Sequence, residues 1–412
     1  MDNVTHTLLG ALLGDAAHRF VAVNRHGLPG ESRRVVGIGL MVAGSNLPDL
    51  DFLYSAVTGS KLDYLLQHRG YSHTLVASLL VAAATWWAAL AWIRRRRLPW
   101  SPADLRYLAG LALLAPLTHI GLDFTNSYGV HPFWPFDNHW YYGDAVFIVE
   151  PLLWACAAPL LFTLRSNAGR LLVATPLLAT PVLARFSGMI PLPQMVAMAA
   201  WVTLLALLAW RLPARAASAA GVAAWLGVTL LFFAAGHLAQ ARVAAGARRA
   251  FPAAITLDSV LTPLPANPVC RELLLVQLDG DAYVVRRAAH SLAPSLWPAS
   301  ACPLRGGERT TAPLAEVPAA SDAEFHWMGQ IGLPRSQLAA LQSRDCAVRA
   351  LLRFARVPWS AELAGGRVVG DLRYDREPGN GFAEITLGTA EAACPRLQPD
   401  WVPPREDVLM LR

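Results

Sequence analysis

Charged residues are scarce in this sequence. Only 16% of its 412 residues are Asp, Glu, Lys or Arg, whereas 54% are hydrophobic, and the mean hydropathy is +0.36. Soluble domains carry about 25% charged residues, so this shortage argues against a soluble protein and favours a membrane protein. The long uncharged runs lie in residues 1–240. We therefore predict a membrane-embedded helical domain there, and a soluble domain over residues 251–412.

Two further absences limit the function. No basic residue precedes the first apolar stretch, because the chain opens Met1-Asp2-Asn3, so we expect no cleaved signal peptide. The membrane half shows no repeated halves, and its polar residues cluster at helix ends. A transporter would place ionisable groups near the bilayer midplane, so the transporter class is disfavoured.

Residues 1–240 contain roughly eight apolar runs that approach the length of about 20 residues needed to cross a bilayer. The first carries Asp15 and His18 and the sixth carries Pro176 and Pro181, so either is alternatively re-entrant or tilted. We expect an all-α polytopic domain of about seven to eight helices. The runs are 4–22, 35–53, 74–93, 106–123, 145–164, 170–187, 189–210 and 218–240.

Arginines indicate the orientation of these helices. The third run is uncharged and is followed directly by four arginines at residues 94–97, which places that end in the cytoplasm. Residues 94–106 are then cytoplasmic, while residues 54–72, 124–144 and 251–412 are extracytoplasmic. We expect a multi-pass protein of the bacterial inner membrane. The net charge of +6 is explained by topology, and no nucleic-acid partner is expected.

Four of the five cysteines lie in the C-terminal domain. An even number in an exported domain predicts two disulfides among Cys270, Cys302, Cys346 and Cys394, with three possible pairings; four buried thiols are the alternative. Cys156 is expected to be a small apolar residue. Alternating stretches at 273–287, 368–374 and 382–387 predict strands, and residues 335–344 predict a helix. The domain is therefore α+β or mostly β.

The derived topology brings the histidines and aspartates of the membrane half to one membrane face. Ionisable groups at membrane depth are costly and usually functional, so a shared face suggests a shared metal site. Each residue alone also has a structural interpretation: a snorkelling or hydrogen-bonded histidine, or an aspartate at a helix end. The predicted metal ligands are His6, Asp49, Asp51, His68, His73, His119 and Asp123.

Local spacing gives these residues roles. His119 and Asp123 are four apart and project from one helix face. Pro48 should end the second helix just before the aspartates at 49 and 51, which repel each other unless a cation lies between them. Arg69 offers a planar fork for an anionic oxygen, and Gly70 is expected to supply the turn; alternatively this stretch is a polar loop with Ser72 as the helix cap. The residues expected to act in catalysis are Asp49, Asp51, Arg69 and Asp123.

The segment 124–144 is rich in aromatic residues and could cover the site, although an aromatic belt at the bilayer interface is an equal alternative. His131, His139, Asp144 and Glu150 from this region are further candidate ligands.

At these residues the sequence resembles the YdjM-like family of bacterial inner-membrane proteins, which are described as metal-dependent hydrolases. The motifs stand in the family's order over about residues 1–155: Met-Asp-Asn-Val-Thr-His6, Pro-Asp-Leu-Asp51, His68-Arg-Gly-Tyr-Ser-His73, and His119-Ile-Gly-Leu-Asp123 followed by Tyr128-Gly129. Ser72 and Thr74 stand where Thr and Ser are expected, and Glu150-Pro151 where Asp-Pro is usual. The ligand pattern is distantly similar to those of zinc-dependent phospholipase C and P1-type nucleases, which implies cleavage of phosphoesters.

We therefore expect a membrane hydrolase in which two or three divalent ions activate water against an ester, most plausibly a phosphoester of a lipid or lipid-linked substrate. Mixed His and Asp ligands favour zinc, with manganese or iron as alternatives. A non-catalytic metal-binding scaffold whose soluble tail recruits a protein partner is the rival hypothesis. An open metal position beside a cleft would favour the enzyme.

Overall fold

The computed structural model describes residues 1–22, 26–304, 309–379 and 381–409. The chain forms two compact units. The first comprises Met1–Leu50, Tyr71–Trp134 and Val146–Phe232, and the second comprises Asp51–Gly70, Pro135–Ala145 and Phe233–Arg412. The second unit thus contains two segments from the N-terminal half in addition to the C-terminal region.

Helices occupy most of the first 250 residues. Two short 3₁₀ helices, Leu47–Asp51 and Tyr71–His73, lie between them. The α-helices in chain order are α1 Asn3–Phe20, α2 Gly30–Gly44, α3 Phe52–Thr58, α4 Lys61–Gln67, α5 Leu75–Arg95, α6 Pro102–Phe124, α7 Pro151–Ala155, α8 Leu160–Thr163, α9 Asn167–Ser187, α10 Leu192–Arg211 and α11 Ala214–Ala250.

Five helices in the described part of the chain are long and apolar enough to cross a membrane: α5, α6, α9, α10 and α11. The predicted polytopic helical domain is confirmed, with fewer full-length apolar helices than the eight runs suggested. The run at 145–164 forms only a shorter apolar segment, Pro151–Thr163, which Pro159 divides into α7 and α8. By contrast, α9 continues through both of its prolines.

The second run, 35–53, ends earlier than predicted. Its helix, α2, ends at Gly44 and not at Pro48. The Asn46 side-chain amide donates to the Val42 carbonyl oxygen at 2.8 Å. If the helix continued, this carbonyl would accept from a backbone N–H instead. Gly44 also packs so closely on α6 that an added Cβ would lie 2.7 Å from the Cβ of Ala115. The early end leaves the following residues free to form the 3₁₀ helix.

The carboxylate in α1 is fully paired. Asp15 is buried, and its Oδ2 accepts hydrogen bonds from Arg19 Nε at 2.8 Å and the Ser218 hydroxyl at 2.7 Å. Its Oδ1 accepts from Arg34 Nε at 2.8 Å. Burial of a carboxylate is tolerated when its oxygens are paired in this way. This pairing explains how α1 carries a charge among apolar helices.

The C-terminal region of the second unit is rich in antiparallel strands, as predicted. One sheet contains the first four strands and the other contains the last three, each in sequence order. The strands are β1 Ile255–Leu264, β2 Asn267–Asp279, β3 Ala282–Ser291, β4 Phe325–Pro334, β5 Pro358–Leu363, β6 Gly366–Asp371 and β7 Glu384–Thr386; the helices are α12 Arg335–Arg344, α13 Cys346–Leu352 and α14 Glu406–Leu409.

Two disulfides form in this region, as predicted. The sequence left three pairings open, and the structure pairs Cys270 with Cys302 and Cys346 with Cys394. Cys156 is buried beside α7. One core of the second unit joins the last turns of α11 to the first sheet, and it includes Ala239, Val243, Leu273, Leu275 and Ala288.

Candidate metal centre

Helix α6 presents two of the predicted ligands. His119 and Asp123 are one turn apart, so both side chains project from the same face of the helix. Both side chains are fully buried, and His119 Nε2 lies 3.3 Å from Asp123 Oδ2. The four-residue spacing therefore has the geometric result predicted from the sequence.

The two 3₁₀ helices bring a second carboxylate and a second histidine to the same place. Asp49 lies in the first of them and His73 ends the second. The cap of α5 is Thr74, whose hydroxyl accepts from the amide three residues later at 2.9 Å, so Ser72 is not the cap. The Ser72 hydroxyl instead lies 2.9 Å from His73 Nδ1, where it holds the outer edge of the ring.

These four residues form one buried cluster in the first unit. One ligand atom from each of Asp49, His73, His119 and Asp123 lies within 4.8 Å of all the others. His73 Nε2 is 3.0 Å from Asp123 Oδ2 and 3.3 Å from Asp49 Oδ1. The Nε2 atoms of the two histidines are 2.9 Å apart. The group could hold a metal ion.

The hydrogen bond on the side of His119 that faces away from the cluster indicates whether the cluster suits a cation. Its Nδ1 lies 2.7 Å from the carbonyl oxygen of Ser45, which can only accept, so Nδ1 carries the proton. As a metal ligand, His119 would then direct the lone pair of Nε2 into the cluster, toward His73 and the two carboxylates. A carbonyl that orients the distal nitrogen is the usual support of a metal-ligating histidine. The donor set therefore fits a divalent cation.

Helix α1 adds His6 to the cluster. Its Nε2 lies 3.3 Å from Asp123 Oδ1, and its ring stacks on His119 with centroids 3.9 Å apart. The other oxygen of Asp123 faces His73 and His119. The two oxygens of this carboxylate thus face different histidines, so Asp123 is the common neighbour of His6, His73 and His119. The amino group of Met1 also contacts Asp123.

Sequence reasoning missed two supporting groups. Asn3 Nδ2 donates to Asp49 Oδ2 at 3.2 Å and so holds the second carboxylate. Asn3 stands three residues before His6 in α1, a spacing that places both on one helix face and could have identified it. The Ser45 carbonyl was not identifiable, because a backbone acceptor has no residue-type signature.

Three other predicted site residues form a group within the second unit. His68 Nδ1 lies 2.8 Å from Asp51 Oδ1, and the backbone amide of Arg69 donates to Asp51 Oδ2 at 3.0 Å. A carboxylate on one imidazole nitrogen orients the other for a metal or a substrate. This geometry favours Asp51 as the residue that orients His68, in addition to its predicted role as a ligand.

The turn after His68 differs from the prediction. Gly70 does not supply the left-handed conformation; Arg69 adopts it instead, with φ of 61°. Gly70 is needed for close packing, because an added Cβ would lie 2.9 Å from the Gln67 carbonyl oxygen and 3.1 Å from the ring of Trp401.

The four additional candidate ligands have varied surroundings. His131 is buried, whereas His139 is exposed. Glu150 caps α7 by accepting from the amide two residues later at 3.0 Å. Asp144 pairs with Arg356 in the second unit at 2.9 Å. Asp144 and Glu150 thus have identifiable structural partners, and both remain only candidate ligands.

Comparison with protein families supports the resemblance seen in the motifs. Residues 1–190 match the family model of the YdjM inner membrane proteins. The N-terminal region is YdjM-like, as predicted. This range contains every predicted ligand and ends before the strand-rich region.

One curated relative is the uncharacterized protein YfhP of Bacillus subtilis (strain 168). It is 30% identical over 140 residues, which cover 34% of this chain and 39% of YfhP. The match thus spans about two fifths of the relative's length. No solved structure matches this chain.

Proposed function

We propose that this protein is a membrane-embedded, metal-dependent hydrolase that cleaves a phosphoester or related ester of a lipid-type substrate. The observation that carries the proposal is the cluster of Asp49, His73, His119 and Asp123, in which the Ser45 carbonyl fixes the lone pair of His119 toward the carboxylates. A second supporting observation is the YdjM match over the same residues.

Each residue of the cluster would have a definite role. The carboxylates of Asp49 and Asp123 would balance the charge of a bound divalent ion, and His73 and His119 would supply nitrogen donors. His6 extends the donor set on the other side of Asp123. Bound divalent ions would lower the pKa of water and polarise the scissile ester. Zinc suits this donor set best, and two ions suit the two-sided carboxylate.

Arg69 is proposed to bind the anionic oxygens of the substrate. Its guanidinium is permanently charged and can donate two parallel hydrogen bonds to a phosphate. Its backbone amide is held by Asp51, which also orients His68. Asp51 would thus act on the substrate through its two neighbours.

A groove on the first unit supports the lipid part of the proposal. It has a volume of about 440 Å³ and lies between α2 and α5, where small residues such as Gly39, Ala43, Ala84 and Ala88 form its walls. Leu47 lines the groove and stands two residues before Asp49 in the chain. A lipid whose acyl chain lies in this groove could place its polar headgroup beside Leu47, close in the chain to Asp49 of the metal cluster.

We also propose the location of the protein. The YdjM match and the apolar helices support the inner membrane. Four arginines at residues 94–97 favour a cytoplasmic end for α5, and this orientation would place residues 251–412 outside the cytoplasm.

One observation favours the second candidate, a non-catalytic metal-binding scaffold. The side chains of His6, His73, His119 and Asp123 have no solvent exposure, as in a closed structural metal site. In this scheme the metal would hold α1 and α6 together and the C-terminal region would recruit a partner.

The test combines metal analysis with a substrate panel. Elemental analysis of the full-length protein in detergent should give at least two transition-metal ions per chain, and His119→Ala and Asp49→Ala should lose metal. His237→Ala is the matched control, because His237 is an exposed histidine of α11 that is not among the predicted ligands. Phosphomonoester, phosphodiester and phospholipid substrates are then supplied to the loaded protein in bilayers. Full metal content in both ligand variants would refute the shared site, and a loaded protein inert toward all esters would favour the scaffold.

A further inference from the structure

Residues 395–402 pack against the hairpin of α3 and α4 inside the second unit. Trp401 Nε1 donates to the carbonyl oxygen of Leu66 at 2.9 Å, and the Gln67 side-chain amide donates to the carbonyl oxygen of Leu397 at 3.2 Å. Trp401 is 1% exposed, and its ring lies against Gly70. The last turn of α4 and the three residues that follow it are therefore held by a segment more than 300 residues away.

The residue between these contacts is under backbone strain. Arg69 has φ of 61°, a left-handed conformation that is unfavourable for a residue with a side chain, because Cβ then lies too close to the following carbonyl oxygen. Such conformations persist only where the surrounding structure fixes them. Here the contacts are the Arg69 amide on Asp51 on one side and Trp401 against Gly70 on the other.

Further contacts anchor the hairpin itself. Leu62, Leu65 and Leu66 are completely buried, and α4 packs against α13 of the same unit. Lys61 Nζ donates to the carbonyl oxygen of Glu384 in β7 at 3.1 Å. The hairpin is therefore a fixed part of the second unit and not a solvated loop.

The segment is in turn attached to α13. Cys394 forms a disulfide with Cys346, the first residue of α13, and the Gln398 side-chain amide donates to Cys346 Sγ at 3.0 Å. The disulfide limits the movement of residues 395–402 relative to the domain and requires an oxidising compartment.

From these contacts we infer that residues 395–402 act as a clamp that positions Arg69 and His68 for the substrate. The inference rests on the proposed function, and it gives the C-terminal region a role beyond the YdjM match, which ends at residue 190. Trp401 is a positioning residue: it touches the backbone of the hairpin, and Arg69 contacts the substrate.

The first test measures the hairpin directly and needs no enzyme activity. Hydrogen exchange is followed by mass spectrometry on the full-length protein in detergent, for Trp401→Phe and Trp401→Ala. Loss of the bond to Leu66 should speed exchange of residues 62–70 on the order of tenfold, because a buried hydrogen bond contributes about 1–1.5 kcal/mol. Trp401→Phe retains an aromatic side chain but lacks the indole N–H, so it serves if Trp401→Ala fails to fold, and the same change at Trp359 corrects for the smaller ring.

Trp359→Phe is the matched control. Trp359 is a fully buried tryptophan in β5, and its Nε1 has no hydrogen-bond partner among the described residues. The Trp359→Phe variant should therefore exchange residues 62–70 at the wild-type rate. Wild-type exchange rates in both Trp401 variants would overturn the clamp.

The second test asks whether Trp401 acts through Arg69. If it does, Arg69→Ala should lower kcat/KM toward a phosphodiester by a large factor in the wild type and by little in Trp401→Ala, while metal content stays at the wild-type value. Additive losses would overturn the positioning role. A protein that hydrolyses nothing but shows the exchange response would refute the proposed function and leave the clamp established.

Discussion

Asp123→Asn is the sharpest test of the metal centre. The substitution keeps the size and shape of the side chain but removes one negative charge, so α6 should form as before. Asp123 Oδ2 lies 3.0 Å from His73 Nε2 and 3.3 Å from His119 Nε2, and Oδ1 lies 3.3 Å from His6 Nε2. No other carboxylate in the cluster faces all three histidines.

The size of the effect follows from Coulomb's law. Two unit charges about 4 Å apart interact with about 4 kcal/mol at an effective dielectric constant of about 20. Loss of that interaction weakens binding of a cation by about a thousandfold, and more for a divalent ion in direct contact with the carboxylate. Turnover should be nearly abolished, because an ion that dissociates cannot activate water.

The assay is competition between the protein and a chelator of known zinc affinity, followed by elemental analysis after gel filtration. Asp137→Asn is the control, since Asp137 is a partly exposed carboxylate paired with His139. Circular dichroism confirms that the helices remain. An Asp123→Asn protein that competes for zinc as well as the wild type would refute the assignment of this cluster.

Four further predictions concern other parts of the chain. Arg69→Ala should retain its metal and lose about 2–4 kcal/mol of transition-state stabilisation, or tens- to hundreds-fold in kcat/KM, and Arg69→Lys should recover only part of it; equal loss of metal would show that Arg69 is structural. Asp15→Asn should destabilise the first unit by about 3–5 kcal/mol, because it leaves Arg34 buried without its carboxylate, which thermal unfolding in detergent can measure. Burial and a neighbouring carboxylate raise the pKa of Glu384 from 4.5 to about 7, so stability present below pH 4.5 should be lost as the pH rises toward 7, and Glu384→Gln should flatten this part of the curve of melting temperature against pH. Single cysteines in residues 94–106 should resist an impermeant reagent in intact cells; labelling there would overturn the proposed orientation.

The clustering of Asp49, His119 and Asp123 could be predicted because the signals in the sequence are local. His119 and Asp123 share a helix face through a four-residue spacing, and Asp49 stands beside a proline that favours irregular backbone. The distribution of arginines predicts the helix orientations, and these orientations place the four residues of the cluster at one membrane face. The sequence did not predict any contact between particular pairs of them. Topology limits where helix ends can lie, and this constraint is strong in a membrane protein.

The grouping of the hairpin could not be predicted in the same way. The sequence indicates only that residues 54–72 are extracytoplasmic, yet α4 packs against α13, and its Leu65 and Leu66 are buried. Its partner, Trp401, is 335 residues from Leu66, and no periodicity reports a contact at such a separation. The end of α2 at Gly44 was also missed, because the hydrogen bond from the Asn46 side chain to the Val42 carbonyl oxygen has no distinct signature in the sequence.

The separation between Leu66 and Trp401 also has a consequence for biosynthesis. The ribosome makes the histidines and aspartates of the cluster first and the tryptophan hundreds of residues later. If the cluster binds metal as proposed, a nascent chain in the membrane can therefore acquire ions before the hairpin is fixed. Oxidation of Cys346 and Cys394 comes later still. On the proposed function, expression in a host that cannot form this disulfide should therefore yield a protein that binds metal but does not fix Arg69, with a lower hydrolytic activity than the oxidised protein.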